Sequence, residues 1–375
     1  MPERHLNIVS FSIPYPANYG GVIDVFYKLV ALKAEGIKIH LHCFQYDRQP
    51  APELKVYCES VHYYSRKTGF KEQLSVIPYI VRGRRSDELL KNLLSNEYPV
   101  LFEGLHSCFY LDHPSLEGRE LIYRESNIEH QYYFNLFRSE KKLSTRIFFL
   151  FESLRLRLFQ HVLKQASQLL IVSEKDTEYL KIKFPGNKVT YLPSFHGNTV
   201  CRSLPGKGKY AFYHGNLSVS ENVQAAEFLI KEVFNGLDIP LIIAGLKPSA
   251  YLKRLASGYG IQLIENPSND QMDKLIQEAQ VNILVTFQST GLKLKLLNTL
   301  FNGRFLLVNP PMVSGTGLDA LCSIANTPSG FKIRILSIFK QEFDLAMVTE
   351  REKILMSRYS DTVNAKKMID LIFPS

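Results

Sequence analysis

The chain has 375 residues, of which 45% are hydrophobic and 12% are aromatic. This composition is ample for packed cores, so it excludes an intrinsically disordered chain, and the length favours two domains over one ordinary α/β core. The formal net charge of +9 indicates affinity for anions, a class that includes nucleotides, phospholipid surfaces and nucleic acids. Charge alone does not choose among these partners.

Cysteine usage and apolar runs restrict the compartment. The 5 cysteines are scattered and form no C-x-x-C pair, which argues against both a disulfide framework and a zinc site. The first residues lack the apolar core of a signal peptide, and no apolar run has the length of a transmembrane helix. We therefore expect a cytoplasmic protein, at most peripheral to the inner face of the membrane.

The chain opens with a predicted βαβ unit. An apolar strand over 6–11 is followed by a proline-containing loop that ends in Gly20 and Gly21, a helix over 22–35 and an alternating strand over 37–44. Glycines at this position allow the backbone to approach a ligand closely.

Further apolar strands are predicted at 100–102, 120–123 and 169–172, with a long helical region over 144–165. Its apolar residues share one stripe at helical spacing: Ile147, Phe151, Leu154, Leu158 and Val162. We favour core packing for this stripe. The alternative is a membrane contact, because a basic amphipathic helix can lie on anionic lipid, and the basic segment 80–85 is a second candidate for such a contact.

Periodicity is lost over 188–205, which places a domain boundary near residue 195. A second α/β series follows, with strands expected at 210–213, 241–244, 261–264, 281–287 and 305–308. The predicted domains are therefore 1–195 and 196–349, with the helical segment 350–375 crossing back to the first domain. Strands that alternate with helices at this spacing predict parallel sheets covered on both faces.

The segment 291–303 carries the strongest chemical signal. A helix is expected to begin at Gly291, to carry Lys293 and Lys295 in its first turns and to end at Gly303. Backbone N–H groups at a helix N-terminus and nearby ammonium groups together suit a diphosphate. The alternative is that both lysines only solvate an amphipathic helix.

The chain resembles a known family in five segments, which keep their order along the sequence: 14–36, 123–133, 172–176, 214–226 and 291–303. They are similar to segments of retaining GT-B glycosyltransferases of the family-4 type, also called glycosyl transferases group 1. The resemblance implies an α/β GT-B fold, with two Rossmann-like domains whose parallel sheets face a central cleft. It also implies a hexosyltransferase that acts with retention of configuration and without a carboxylate nucleophile. No Asp-x-Asp occurs in the chain, so we expect no metal held by such a pair.

The resemblance further implies the substrates and the site. The donor would be a UDP- or GDP-sugar, with no separate cofactor, and the acceptor a glycan or lipid-linked glycan of surface polysaccharide biosynthesis. The expected catalytic residues are His106, Lys293 and Lys295. The expected donor-binding residues are Gly20, Gly21, Gly215, Asn216, Asn266, Thr290, Gly291 and Asn298. Arg124, Asn127 and Glu129 are expected on the acceptor side; the alternative for Arg124 and Asn127 is a hydrogen-bond network between the domains.

The sequence departs from the family pattern at three of these positions. Many such enzymes carry two glutamates where Thr290 and Asn298 stand here, the second of which holds the donor ribose; Asn298 can still hydrogen-bond a hydroxyl. A basic residue that often follows the first glycine of the donor domain is replaced by Asn216. His106 itself is equally compatible with a structural loop histidine.

Other functions remain open. One is a catalytically degraded GT-B protein that acts as a binding partner in polysaccharide assembly. Another is a different two-domain nucleotide-sugar enzyme, such as an epimerase, or a dehydrogenase; the latter is disfavoured because the first loop lacks G-x-G-x-x-G. Nucleic-acid binding is not expected, because no recognised motif is present.

Overall fold

The computed structural model describes residues 3–140, 142–287 and 294–374. These residues form two compact units. The N-terminal unit comprises residues 3–197 and 359–374, and the C-terminal unit comprises residues 198–287 and 294–358. Three of the predicted site residues, Thr290, Gly291 and Lys293, lie outside the described residues.

The N-terminal unit contains a parallel sheet with the strand order β3-β2-β1-β4-β5-β6-β7. Its strands are β1 (His5–Ser10), β2 (Lys38–Gln45), β3 (Ser60–Ser65), β4 (Val100–Glu103), β5 (Leu121–Arg124), β6 (Gln168–Ile171) and β7 (Lys188–Tyr191). The central strands β4, β5 and β6 are buried along their whole length, which explains why they read as continuous apolar runs. The direction of strand succession reverses between β1 and β4.

Helices of this unit connect the strands. They are α1 (Gly20–Ala34), α2 (Phe70–Gln73), α3 (Tyr79–Arg82), α4 (Asp87–Leu93), α5 (Glu129–Ser139), α6 (Leu143–Phe159) and α7 (Glu174–Lys183). Short 3₁₀ helices cover Pro52–Val56, Leu105–Tyr110, Pro114–Leu116 and Gln160–Gln165.

The C-terminal unit contains a second parallel sheet, with the order β10-β9-β8-β11-β12-β13. Its strands are β8 (Ala211–Asn216), β9 (Leu241–Leu246), β10 (Gln262–Glu265), β11 (Val281–Leu284), β12 (Phe305–Val308) and β13 (Ser323–Ile324). Its helices are α8 (Ser220–Phe228), which continues as a π-helical turn over Leu229–Val233, α9 (Ala250–Gly258), α10 (Asn269–Glu278), α11 (Leu294–Asn302), α12 (Pro310–Val313), α13 (Pro328–Phe339) and α14 (Leu345–Tyr359), with a 3₁₀ turn at Asp319–Leu321.

The last helix, α15 (Asp361–Ile372), belongs to the N-terminal unit. The helical segment expected over 350–375 is interrupted at Ser360, whose hydroxyl accepts a hydrogen bond from the Val363 N–H and so begins α15. Ala365 and Met368 are fully buried in the same core as Leu6 and Ile8 of β1.

The long helical region was predicted correctly as helix, but the predicted direction of its apolar stripe is wrong. Four of the five stripe residues are exposed: Ile147 at 45%, Phe151 at 56%, Leu154 at 50% and Leu158 at 69%. Only Val162, in the 3₁₀ segment after α6, is buried. Periodicity predicts that one face of a helix is apolar, but it does not say whether the chain itself covers that face.

The basic segment 80–85, which the sequence offered as an alternative membrane contact, is partly buried, with Arg85 exposed. Ile80, Val81 and Arg84 are all buried. Among the described helices, none combines the length and the apolar composition required to cross a bilayer.

Candidate functional site

The first group of site residues lies where the N-terminal sheet reverses its order, beyond the carboxyl ends of β1 and β4. Ligands bind at such switch points in open α/β sheets. Phe11 directly follows β1, and its ring centroid lies 5.5 Å from that of His106 in the 3₁₀ helix after β4. Gly21 belongs to the same group, since a Cβ on it would lie 2.7 Å from the Phe11 ring. The predicted residues Gly21 and His106 are thus brought together.

A backbone constraint places His106. Gly104, which follows β4, has φ of +69°, and a Cβ on this residue would lie 3.2 Å from His106 Nδ1 and 3.4 Å from Ser126 Oγ. Left-handed backbone and close approach both favour glycine here.

His106 pairs with Glu129, the first residue of α5. Nδ1 of His106 lies 3.7 Å from Oε1 of Glu129, and the Ser126 hydroxyl donates a 3.4 Å hydrogen bond to the same oxygen. The side chains are 19% and 3% exposed, respectively. Within the described residues His106 Nδ1 has no hydrogen-bond partner. The pair is therefore nearly enclosed, and His106 Nδ1 can still form a hydrogen bond to a ligand.

The charge state of this pair follows from its burial. Burial raises the pKa of Glu129 to about 8, against the opposing influence of the Ser126 hydroxyl and the Arg84 guanidinium. Burial, Arg84 and Arg66 lower the pKa of His106 well below its ordinary value. Near neutral pH the site thus presents a carboxylic acid beside a neutral imidazole, two groups that can each donate and accept hydrogen bonds with hydroxyls.

Arg84 holds the Phe11 end of this group in place. It is buried, and its Nε donates a 2.8 Å hydrogen bond to the Phe11 carbonyl, which fixes the start of the loop after β1.

Arg124, expected on the acceptor side, does not join this group. It is fully buried, and its guanidinium donates to the carbonyls of Leu192 and Pro193 at 2.6 and 2.8 Å and to Asp24 at 3.2 Å. Asp24 also binds Lys28 at 2.9 Å, and Lys28 binds Glu103 at 2.6 Å. These four side chains form a buried ion network beneath the switch point.

The other residues predicted in this unit lie near the group. Asn127 is half-buried in the turn between β5 and α5, two positions before Glu129. Gly20 is exposed at the start of α1, and a Cβ on it would meet no atom within 4 Å.

A cavity of about 520 Å³ lies beside the proline-containing loop. Arg48 closes one side of it, donating hydrogen bonds to the carbonyls of Pro16 at 2.6 Å and Ile13 at 3.3 Å. The lining is mostly polar and includes Asn18, Asp47 and Gln49. Sequence reasoning missed this cavity, because the segment 46–53 shows no periodicity.

A second group lies at the switch point of the C-terminal sheet, between β8 and β11. Lys295, in the first turn of α11, donates a 3.4 Å hydrogen bond to Oδ1 of Asn222, and Asn222 Nδ2 donates to the Asn216 carbonyl at 2.9 Å. A Cβ on Gly215 would lie 3.1 Å from Cγ of Asn222. The predicted residues Gly215 and Lys295 are therefore joined through Asn222, which sequence reasoning had not assigned to the site.

Helix α11 packs its first turns over the end of β8. Nε2 of His214 lies 3.2 Å from the Thr299 hydroxyl, and burial together with Lys295 lowers the pKa of His214 to about 3. This imidazole is consequently neutral at physiological pH. Asn298 is half-buried one turn after Lys295, and its Oδ1 accepts a 3.1 Å hydrogen bond from Asn302 Nδ2.

Two further predicted residues shape loops at the same edge of the sheet. Oδ1 of Asn216 accepts hydrogen bonds from the N–H and hydroxyl of Ser218 at 3.1 and 2.7 Å, so it closes a turn. Asn266 has φ of +49°; its N–H donates to the Gly245 carbonyl at 2.9 Å, and its Oδ1 accepts from the Lys247 N–H at 2.8 Å.

Glu221 is a site residue that sequence reasoning missed. Its Oε1 accepts hydrogen bonds from the Thr286 hydroxyl and, at 3.1 Å, from the Phe287 N–H. It thereby ties the loop after β11 to the first turn of α8. The only sequence signal was an acidic residue at the start of a helix, which is common for other reasons.

Comparison with known proteins identifies the fold. No protein-family model matches the chain. An uncharacterized 44.6 kDa protein in the cps region of Klebsiella pneumoniae is 25% identical and aligns over 98% of each chain. Sucrose-phosphate synthase from Thermosynechococcus elongatus superposes with a TM-score of 0.71 at 12% identity, over 98% of each chain. Anabaena HepE, solved with UDP and glucose, superposes with a TM-score of 0.67 at 9% identity, over 100% of each chain.

These likenesses and the two parallel sheets show that the chain has the GT-B fold of glycosyltransferases, as the sequence predicted. A fold of this kind hosts a function without specifying its substrates.

Proposed function

We propose that the chain is a glycosyltransferase that moves a sugar from a nucleotide-diphospho-sugar to a glycan or lipid-linked glycan. The GT-B fold supports a transferase, and the presence of UDP and glucose in the HepE structure supports a nucleotide-sugar donor. The K. pneumoniae relative encoded in a cps region supports a role in surface polysaccharide synthesis.

The observation that carries this proposal is the convergence of Gly215, Asn222 and Lys295 at the switch point of the C-terminal sheet. Gly215 lets the Asn222 side chain pack directly against the backbone, and the Lys295 ammonium group in the first turn of α11 donates to that side chain. Close backbone, a cation and a helix N-terminus are the features that bind a diphosphate.

In the proposed chemistry, the Lys295 ammonium group stabilises the departing nucleoside diphosphate. Breaking the anomeric C–O bond develops negative charge on the diphosphate, and a preorganised cation stabilises that charge more in the transition state than in the ground state. We assign this role to Lys295 and, from the sequence, to Lys293. Retention of configuration and independence of a metal ion are part of the same proposal and rest on the family resemblance.

The His106–Glu129 pair is assigned to hydroxyl groups of the transferred sugar or acceptor. Neutral groups suit this role, because they hydrogen-bond a hydroxyl without burying an additional charge. The polar cavity beside Arg48 is the proposed place for further acceptor contacts.

Nucleotide binding tests the proposal directly. UDP, GDP and ADP are added separately to the protein, and the melting temperature is measured. A ligand at about 100 times its Kd stabilises the native state by about 2.7 kcal/mol, so one of these nucleotides should raise the melting temperature by a few degrees.

The matched variants are Lys295→Met and Lys274→Met. Lys274 is an exposed lysine of the same unit, on α10. The proposal expects Lys295→Met to lose most of the nucleotide-induced shift and Lys274→Met to keep it. Equal nucleotide-induced shifts of the melting temperature in the two variants would contradict the assignment of Lys295 to phosphate binding.

A second candidate function is a GT-B protein that binds but no longer transfers. It is favoured by Asn298, because its amide oxygen is already engaged by Asn302 rather than standing free for a ribose. Slow hydrolysis of UDP- or GDP-sugars by the purified protein separates the two: nucleotide binding without any hydrolysis or transfer would select the second.

A further inference from the structure

The exposed face of α6 is apolar. Leu143, Ile147, Phe151, Leu154 and Leu158 are between 45% and 69% exposed and recur at steps of three and four residues along this helix. On neighbouring α5, Phe134 is 43% exposed. We call these six residues the α5–α6 apolar surface. Single exposed apolar residues are ordinary, but a continuous row of them marks an interaction surface.

The buried face of α6 is unusually polar, and it fixes the orientation of the helix. Glu152 is fully buried and accepts a 3.0 Å hydrogen bond from the Ile80 N–H, while the Ser153 hydroxyl donates at 2.8 Å to the His130 carbonyl. Rotating α6 to hide the apolar row would break both bonds and expose Leu156. The outward direction of the row is therefore built into the fold.

The charges around this surface have one sign. Residues 130–165 contain seven arginines and lysines but only the glutamates 140 and 152. Glu152 is buried and lies 3.6 Å from Arg155, and Glu140 is engaged by the Lys142 N–H. Arg146 and Arg157 are exposed and flank the apolar row. Arg146 lies 4.9 Å from the Phe137 ring of α5.

We propose that the α5–α6 apolar surface docks on an anionic lipid bilayer. The apolar row would enter the boundary between head groups and acyl chains, and the flanking arginines and lysines would meet lipid phosphates. Charge complementarity selects this occupant: a second copy of the chain placed on the same surface would bring like charges together, whereas an anionic bilayer offers the opposite sign.

The surface also has a consequence for the acceptor, and this step rests on the proposed function. Helix α5 begins at Glu129 of the His106 pair and carries Phe134 and Arg138 on its exposed side. At about 1.5 Å per residue, Arg138 lies only about 14 Å along the helix from Glu129. A lipid-linked acceptor held by the bilayer would thus present its sugar close to this pair.

Vesicle co-sedimentation tests the docking. The full chain is mixed with vesicles of phosphatidylcholine alone and with vesicles of phosphatidylcholine and phosphatidylglycerol. We expect binding only to the anionic vesicles, weakened by salt because of charge screening. The double variant Leu154→Gln/Leu158→Gln should bind about tenfold more weakly. The control Ile333→Gln/Leu336→Gln, which replaces exposed apolar residues of α13, should bind like the wild type.

Two outcomes would overturn the proposal. One is equal vesicle binding by the wild type and the α6 variant. The other is a wild-type dimer, measured by light scattering, that the α6 variant converts to monomer, because the surface would then be covered by a second copy. Neither readout involves a nucleotide or sugar transfer, so a failure of docking leaves the proposed transferase activity separately testable.

Discussion

At the scale of single residues, the N-terminal unit depends on charges buried together. Lys28 is fully buried between Asp24 and Glu103. Burial alone would raise the pKa of Asp24, but Arg124 and Lys28 outweigh it and lower this pKa to about 2. For Glu103 burial prevails over Lys28, and its pKa is raised. Such a network contributes little net stability, but removing one member leaves uncompensated charge in the interior.

We therefore expect Lys28→Met to lower the free energy of unfolding by about 3–5 kcal/mol, because two buried carboxyl groups lose their shared partner. The control is Lys33→Met, an exposed lysine in the same helix, which should change stability by less than about 0.5 kcal/mol. Chemical denaturation measures both. Similar small losses in the two variants would mean that the network is solvated.

Glu129 gives a second residue-scale prediction, on pH. Its pKa rises from the ordinary 4.5 to about 8 in the folded chain, so the folded state holds the proton more tightly than the unfolded state. The resulting stabilisation is fully present below about pH 4.5 and is lost as the pH rises through about 8. Each pKa unit corresponds to about 1.4 kcal/mol, so the stability difference between wild type and Glu129→Gln should fall by a few kcal/mol between these limits.

Denaturation of both proteins at several pH values between 5 and 9 measures this difference. Glu178→Gln, at an exposed glutamate of α7, is the control and should show no such trend relative to wild type. A difference that stays constant with pH would place Glu129 in the ionised state throughout.

At the scale of elements, the sequence predicts the positions of helices and strands better than it predicts the contacts that each of them makes. The βαβ rhythm was readable because β1, β4 and β12 are apolar runs bounded by loops. The edge strands β3 and β7 were not predicted, because they are only partly buried and carry polar residues that resemble loop sequence. For α6 the helical pattern was clear, but a periodic stripe carries no information on what covers it.

The same limit applies to the sites. Gly21, Gly215, His106 and Lys295 were predicted because glycines and ionisable residues follow apolar strands. Their partners Phe11 and Asn222, and Glu221 in the C-terminal unit, were not predicted, because contacts between neighbouring strands and their loops depend on the order of the strands, which local patterns do not contain.

Helix α15 supplies a prediction at this scale. Met368 is buried in the N-terminal core with Leu6 and Ile8. Met368→Ala should lower the free energy of unfolding by about 2–5 kcal/mol through lost apolar burial and a residual cavity. Lys366→Ala, two positions earlier and exposed, is the matched control. Equal denaturation midpoints for the two variants would show that α15 contributes little to this core.

At the scale of the whole molecule, the two units carry different chemistry at equivalent places in their sheets. The switch point of the N-terminal sheet holds a neutral acid–imidazole pair. That of the C-terminal sheet holds the Lys295 cation, in the first turn of α11, bound to Asn222, which packs on the Gly215 backbone. Under the proposed function, the first suits hydroxyl groups and the second suits a diphosphate, so nucleotide affinity and sugar transfer should respond to different residues.

This division can be measured with two variants. His106→Ala should lower the rate of sugar transfer by about 10²–10³-fold, the cost typical of losing one preorganised hydrogen-bonding group, while nucleotide-induced thermal stabilisation stays as in the wild type. Lys295→Met should reduce both quantities, because the same cation binds the nucleotide and stabilises the leaving group. Loss of nucleotide stabilisation in His106→Ala would contradict the division, since it would make the imidazole part of the nucleotide site. Unchanged transfer in His106→Ala would instead identify this residue as a structural loop histidine, held in place by Gly104 and Glu129.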